Sequence, residues 1–144
     1  MFIKCVNTSK YVVIFGAFLI FTLFSCAKKI TFLTSPTVPA ARGFVKVKKD
    51  DNKNYLIKID MSNLAEVNRL QPSKNAYVVW LESDDHIAKN IGQIKSSGSL
   101  LSNKLKASFE TVSSSKPSKI YITAEDNAEI QYPGSQLVIS TDNF

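Results

Sequence analysis

The chain has 144 residues, 44 % of them hydrophobic, and a formal net charge of +6, the scale of one ordinary domain with enough apolar material for a core. Its basic excess is scattered lysine with only Arg42 and Arg69 as arginines; nucleic-acid readers carry clustered cations with interleaved aromatics or a recognisable module, so no nucleic-acid partner is expected. Both cysteines, Cys5 and Cys26, lie near the start, which excludes a disulfide framework inside the folded part.

Lys4 and Lys10 give a charged beginning, and Tyr11 through Phe24 follow as an uncharged apolar run, the layout of a secretory signal. The run is short for a spanning helix, which needs about 20 apolar residues. It ends in Leu23-Phe24-Ser25-Cys26. This segment resembles a bacterial lipoprotein signal with its lipobox: Leu23 and Ser25 match the family, and Phe24 is bulkier than usual. The resemblance implies a signal peptide over residues 1–25, cleavage before Cys26, and acyl chains such as palmitate on Cys26. The alternative is an uncleaved anchor flanked by Lys28 and Lys29. Either way the domain is tethered to a membrane. Cleavage removes 25 of the 144 residues and leaves 119; losing Lys4 and Lys10 lowers the charge from +6 to +4. That balance suits an anionic membrane or envelope polymer. Ala27 is compatible with outer-membrane sorting, so the expected location is the bacterial envelope, periplasmic or surface-facing.

Residues 26–42 read as the lipidated cysteine and a tether, with Lys28-Lys29, Pro36 and Pro39 and no sustained period; the prolines stiffen it. Ile30, Phe32 and Leu33 alternate weakly, as an edge strand would. From Gly43 onward short strands alternate with polar turns, so residues 43–144 are expected to form one domain. Gly43–Lys49 and Tyr55–Met61 make a pair around the turn residues Asp50-Asp51-Asn52-Lys53-Asn54. A short helix-like stretch, Asn63–Val67, stops before Pro72. Asn75–Glu82 is apolar on both faces and predicts a central strand covered on both sides. Ala88–Ile94 is a less distinct strand. Leu100–Glu110 alternates cleanly and predicts one wet face. Lys119–Glu125 and Gln136–Thr141 complete about seven strands, with Ser96–Ser99 and Ser113–Ser115 as turns. The expected fold is an all-β, immunoglobulin-like antiparallel sandwich with Trp80 on a central strand.

Tyr77-Val-Val-Trp80, Asn90-Ile-Gly-Gln-Ile94, a strand ending at Phe109, Ile120-Tyr-Ile-Thr-Ala-Glu125 and Pro133-Gly134 resemble the extracytoplasmic domain of anti-sigma-K-type factors. The resemblance spans residues 43–141 and rests mainly on packing and turn positions. The family's sigma-binding part, with its zinc ligands, has no counterpart here, and its glycine-rich loop is replaced by Asp126–Tyr132. It implies a shared outer domain without the regulatory output, and a shared fold does not confer a function.

Candidate chemistry is sparse. His86 is the sole histidine; with Asp84 it gives too few ligands for a metal site, and a hydrated acidic loop is the plainer reading. No Ser-His-Asp system or Gly-x-Ser-x-Gly elbow is present. Glu125, Asp126 and Glu129 are the carboxylates open to glycoside chemistry, against the plainer reading of hydrated loop acids. Trp80, Tyr77 and Phe109 are the aromatics open to lining a binding groove, with core packing the plainer reading for Trp80 because its run is apolar on both faces. Tyr121 and Tyr132 are the aromatics expected to be exposed for contact. Lys104, Lys106 and Lys119 are read as a group facing anionic lipid or polysaccharide, or simply as guards against edge pairing. No cofactor or metal is expected. The composite expectation is a non-enzymatic, lipid-anchored interaction or structural module with an envelope protein or glycan partner, the alternative being an accessory sensor in envelope signalling.

Overall fold

The computed structural model describes residues 27–99 and 102–144, with side chains 97–104 left out. The leader and Cys26 lie outside the described residues. Among the described residues nine strands form two antiparallel sheets: β1 (Lys28–Thr31), β2 (Arg42–Lys49), β3 (Tyr55–Ser62), β4 (Ala76–Glu82), β5 (Ala88–Ile94), β6 (Ser97–Ser99), β7 (Ser102–Ser113), β8 (Lys119–Glu125) and β9 (Leu137–Ser140). One sheet has the order β1-β2-β3-β7-β6 and the other β5-β4-β8-β9. Apart from β1, this is the A-B-E-D and C′-C-F-G order of immunoglobulin-like sandwiches.

Period-two alternation explains the core. Val45 on β2, Ile57 and Ile59 on β3, and Ala107 on β7 point inward from the first sheet. Tyr77, Val79 and Leu81 on β4, Ile120 and Ile122 on β8, and Ile139 on β9 meet them from the second. Asp50 closes the β2–β3 turn through its own side chain: Oδ1 accepts from the Asn54 N–H at 2.7 Å, and Lys53 takes a positive φ of 67°, the local bonding and left-handed tolerance that turns select.

Three expectations change. Residues 28–41 are part of the sandwich rather than a free tether: β1 pairs with β2, and Phe32, Val38 and Ala41 are buried. The segment then runs along β9, where the Leu33 N–H donates to Ser140 O, Ser35 Oγ to Val138 O, and Thr37 Oγ1 to Leu137 O. This covers the edge of the second sheet, which an unpaired strand would otherwise leave open. Second, Ser97–Ser99 is a short strand on β7 rather than a turn. These two additions raise the count from seven to nine. Third, Asn63–Val67 is not helical; a single 3-10 turn forms over Val67–Arg69 before the cis Gln71-Pro72 bond. Trp80 is fully buried on a central strand as expected, and it packs on the outer face of β4, away from the inter-sheet core.

That outer face is a second small core. Ala76, Val78 and Trp80 are packed by Ala88, Tyr121, Ala128 and Ile130, so β4 is covered on both sides as its sequence predicts. The Trp80 Nε1–H donates to Thr123 Oγ1 at 2.7 Å, which satisfies a donor that would be costly to bury unpaired. Asn90 Nδ2 donates to the carbonyls of Ala128 and Ile130 at 2.8 and 2.9 Å, pinning the loop over the indole. Gly92, with φ of 134°, lies beside Phe109: a Cβ there would meet the ring at 2.8 Å, so close approach and backbone conformation both call for glycine.

Candidate functional site

The outer face of the first sheet reads as four cross-strand rows. From the far end they are Arg42, Ser62 and Lys106; then Thr31, Phe44, Asp60 and Ser108; then Lys29, Lys46, Lys58 and Glu110; then Lys48, Leu56 and Val112, closest to the start of β1. These rows hold six cations against two carboxylates. Residues 27–144 carry 16 Lys/Arg and 12 Asp/Glu, a net +4, and the described side chains of this one face have an excess of that size. Lys29 and Lys46 stand over the Phe44 ring at 4.2 and 5.2 Å, holding ammonium groups above an aromatic face. Lys58 pairs with Glu110 at 3.4 Å, both about half exposed, a contact of little energetic weight. Lys29, Thr31, Arg42, Phe44, Asp60 and Lys106 line a groove of about 670 Å³ on this face.

The lysine group expected from sequence is divided. Lys106 is exposed on the outer face of the first sheet, whereas Lys119 is on β8 of the second sheet, opposite Glu82. The Lys104 side chain lies outside the described residues. Tyr121 is half-buried and stacked on Trp80, ring centroids 6.4 Å apart and 17° from parallel; burial, then the Glu82 carboxylate, holds its hydroxyl above the ordinary range. It is therefore part of the second core rather than a free contact. Tyr132 is 81 % exposed. Tyr77 belongs to the main core, its hydroxyl donating to Ala65 O at 2.9 Å, and burial pushes its pKa up to about 12.

The three carboxylates after β8 are engaged separately. Glu125 is buried, and its Oε1 accepts the Gly134 N–H at 2.8 Å. Asp126 pairs with Lys74 at 2.7 Å. Glu129 is exposed, its backbone N–H bonded to Asn127 Oδ1. His86 sits in an exposed turn with Nδ1 at 3.0 Å from Glu82 Oε1, and Asp84 faces Lys116 at 3.4 Å. Among the described residues no three His, Cys, Asp or Glu side chains converge as a metal site would require, and no helix is long and apolar enough to cross a membrane. The basic face of the first sheet, with its charge excess and aromatic centre, was not read as a whole in the sequence because it joins residues of four separate strands; the alternating lysines of β2 and Lys106 of β7 were its local traces.

No family model matches the chain, and neither a curated protein nor a solved structure matches it.

Proposed function

We propose that the protein is a lipid-anchored component of the bacterial cell envelope, held through Cys26, whose sandwich acts as an interaction or structural module and not as an enzyme. The observation that carries this reading is Leu23-Phe24-Ser25-Cys26 directly behind an apolar run, with the folded domain beginning two residues later at Lys28. Support for a binding role comes from the charge-segregated face; support against turnover comes from the separate engagement of Glu125 and Asp126 with Gly134 and Lys74. The partner is an envelope protein or glycan.

Acyl labelling and membrane fractionation of the wild type and Cys26→Ala test the anchor: label and membrane retention of the processed form are expected to vanish in the variant, and label that persists overturns the assignment. Crosslinking in intact cells, with Cys26→Ala as control, tests the module. One defined envelope partner above the control is the expected result; none above the control overturns a protein partner in favour of glycan. Recovery of a sigma-regulating protein would favour the sensor reading, for which the resemblance over Tyr77–Trp80 and Ile120–Glu125 speaks. Turnover abolished by Glu125→Gln would overturn the non-enzymatic reading.

A further inference from the structure

We infer that the outer face of the first sheet is a membrane-docking surface, which lies against anionic phospholipid headgroups of the bilayer that holds the anchor. This rests on the proposed lipidation of Cys26 for its geometry, but its charge argument stands apart from it. The described side chains of the face are six cations against two carboxylates, an excess equal to the net +4 of residues 27–144. A bilayer surface with anionic lipid attracts cations that lie within roughly a Debye length of it. The opposite sheet offers no such excess, so attraction to an anionic plane orients the domain as well as holding it.

Chain geometry places this face within reach. β1 starts at Lys28 and is paired with β2 from its first residue. Only Ala27 separates Cys26 from Lys28, two residue steps that span about 7 Å at full extension. A lipid on Cys26 therefore brings the edge of this sheet to the headgroups without a free spacer. The row closest to that edge supplies the matching chemistry: Lys48 beside the half-buried Leu56 and Val112, which is 61 % exposed. Cations bordering exposed apolar side chains suit the interface between water and acyl chains.

The test uses the mature lipid-bearing protein in vesicles of phosphatidylcholine alone or with phosphatidylglycerol added. A cysteine is introduced at Ser108, central on the proposed face, or at Gln93, which is exposed on β5 opposite Val78 of the other sheet. Each is labelled with a membrane-impermeant maleimide. Ser108→Cys is expected to label about tenfold more slowly on anionic than on neutral vesicles, as for a face apposed roughly nine-tenths of the time. Gln93→Cys is expected to label alike on both. Adding Lys46→Glu and Lys58→Glu, or raising the salt, is expected to restore the rate at Ser108. Equal rates at Ser108 on the two vesicles, or equal slowing at Gln93, overturn the proposal. Failure of the protein to float with neutral vesicles overturns the lipid anchor instead. The face is then judged on anionic vesicles alone, by whether Ser108 is protected relative to Gln93.

Discussion

Asn90→Ala should uncover the only tryptophan of the chain. The Asn90 side chain donates to Ala128 O and Ile130 O at 2.8 and 2.9 Å and accepts the Gly92 N–H at 3.0 Å. Net contributions run about 0.5–1.5 kcal/mol per bond, and the freed carbonyls belong to a surface loop that water can reach, so the low half of that range applies. Three bonds then give about 2 kcal/mol. With a urea slope of about 1–3 kcal/mol per molar, the unfolding midpoint should fall by about 1 M. Because Trp80 is the sole indole, its native emission and acrylamide quenching report on the covering loop alone. The expected result is a red-shifted native emission and stronger quenching beside the lower midpoint. Unchanged emission and quenching, with a loss below about 0.5 kcal/mol, would refute the claim that Asn90 holds the loop over the second core.

Gly92→Ala should destabilise the domain by about 1–3 kcal/mol, since φ of 134° and the Phe109 ring at 2.8 Å both oppose a Cβ; urea unfolding checks this, and the double variant Gly92→Ala with Phe109→Ala separates strain from clash. Thr123→Val leaves the Trp80 N–H without its acceptor and should lower stability by about 1–3 kcal/mol, read by thermal unfolding. Stability should also fall in alkali. The Tyr77 pKa is raised from 10.0 to about 12 in the folded chain. The folded state thus binds the phenolic proton more tightly than the unfolded state, and this contribution is complete below pH 10 and lost as pH rises toward 12. Two units correspond to about 3 kcal/mol. Urea midpoints measured from pH 9 to 12 in the wild type and Tyr77→Phe check it, with the variant showing the flatter dependence; parallel curves would refute the assignment to Tyr77.

The strands whose residues alternate were legible. Val45 and Val47 against Lys46 and Lys48, Ala107 and Phe109 against Lys106 and Ser108, and the double-sided run from Ala76 to Leu81 each carry their own address, because the pleat turns every second residue to one face. The Asp50–Asn54 turn was equally local. What could not be read were features whose partners are remote in the chain. Ser35 and Val38 sit among prolines with no period, beyond the weak alternation that marked the edge strand at Ile30–Leu33, and they are ordered by Val138 and neighbours about a hundred positions away. Trp80 was legible as buried but not as facing outward, since that depends on the loop after β8 arriving over it. The basic face has this origin in part: Lys29, Lys46 and Lys58 lie on the consecutive strands β1, β2 and β3, but Lys106 and Glu110 join them only through the crossover that pairs β7 with β3.

The junction between residues 33–38 and β9 fixes when the domain can be finished during its making. Ser35 and Val138 are 103 positions apart, so the earliest-made portion of the sandwich waits for nearly the latest. Until Leu137–Ser140 has left the ribosome, the second sheet lacks its edge strand and Phe32 lacks its final surroundings. Contacts of such long sequence separation close slowly and late. A nascent chain of this design therefore stays threadable while it is being made, and a version truncated before residue 137 should be a substrate for proteases rather than a smaller folded protein.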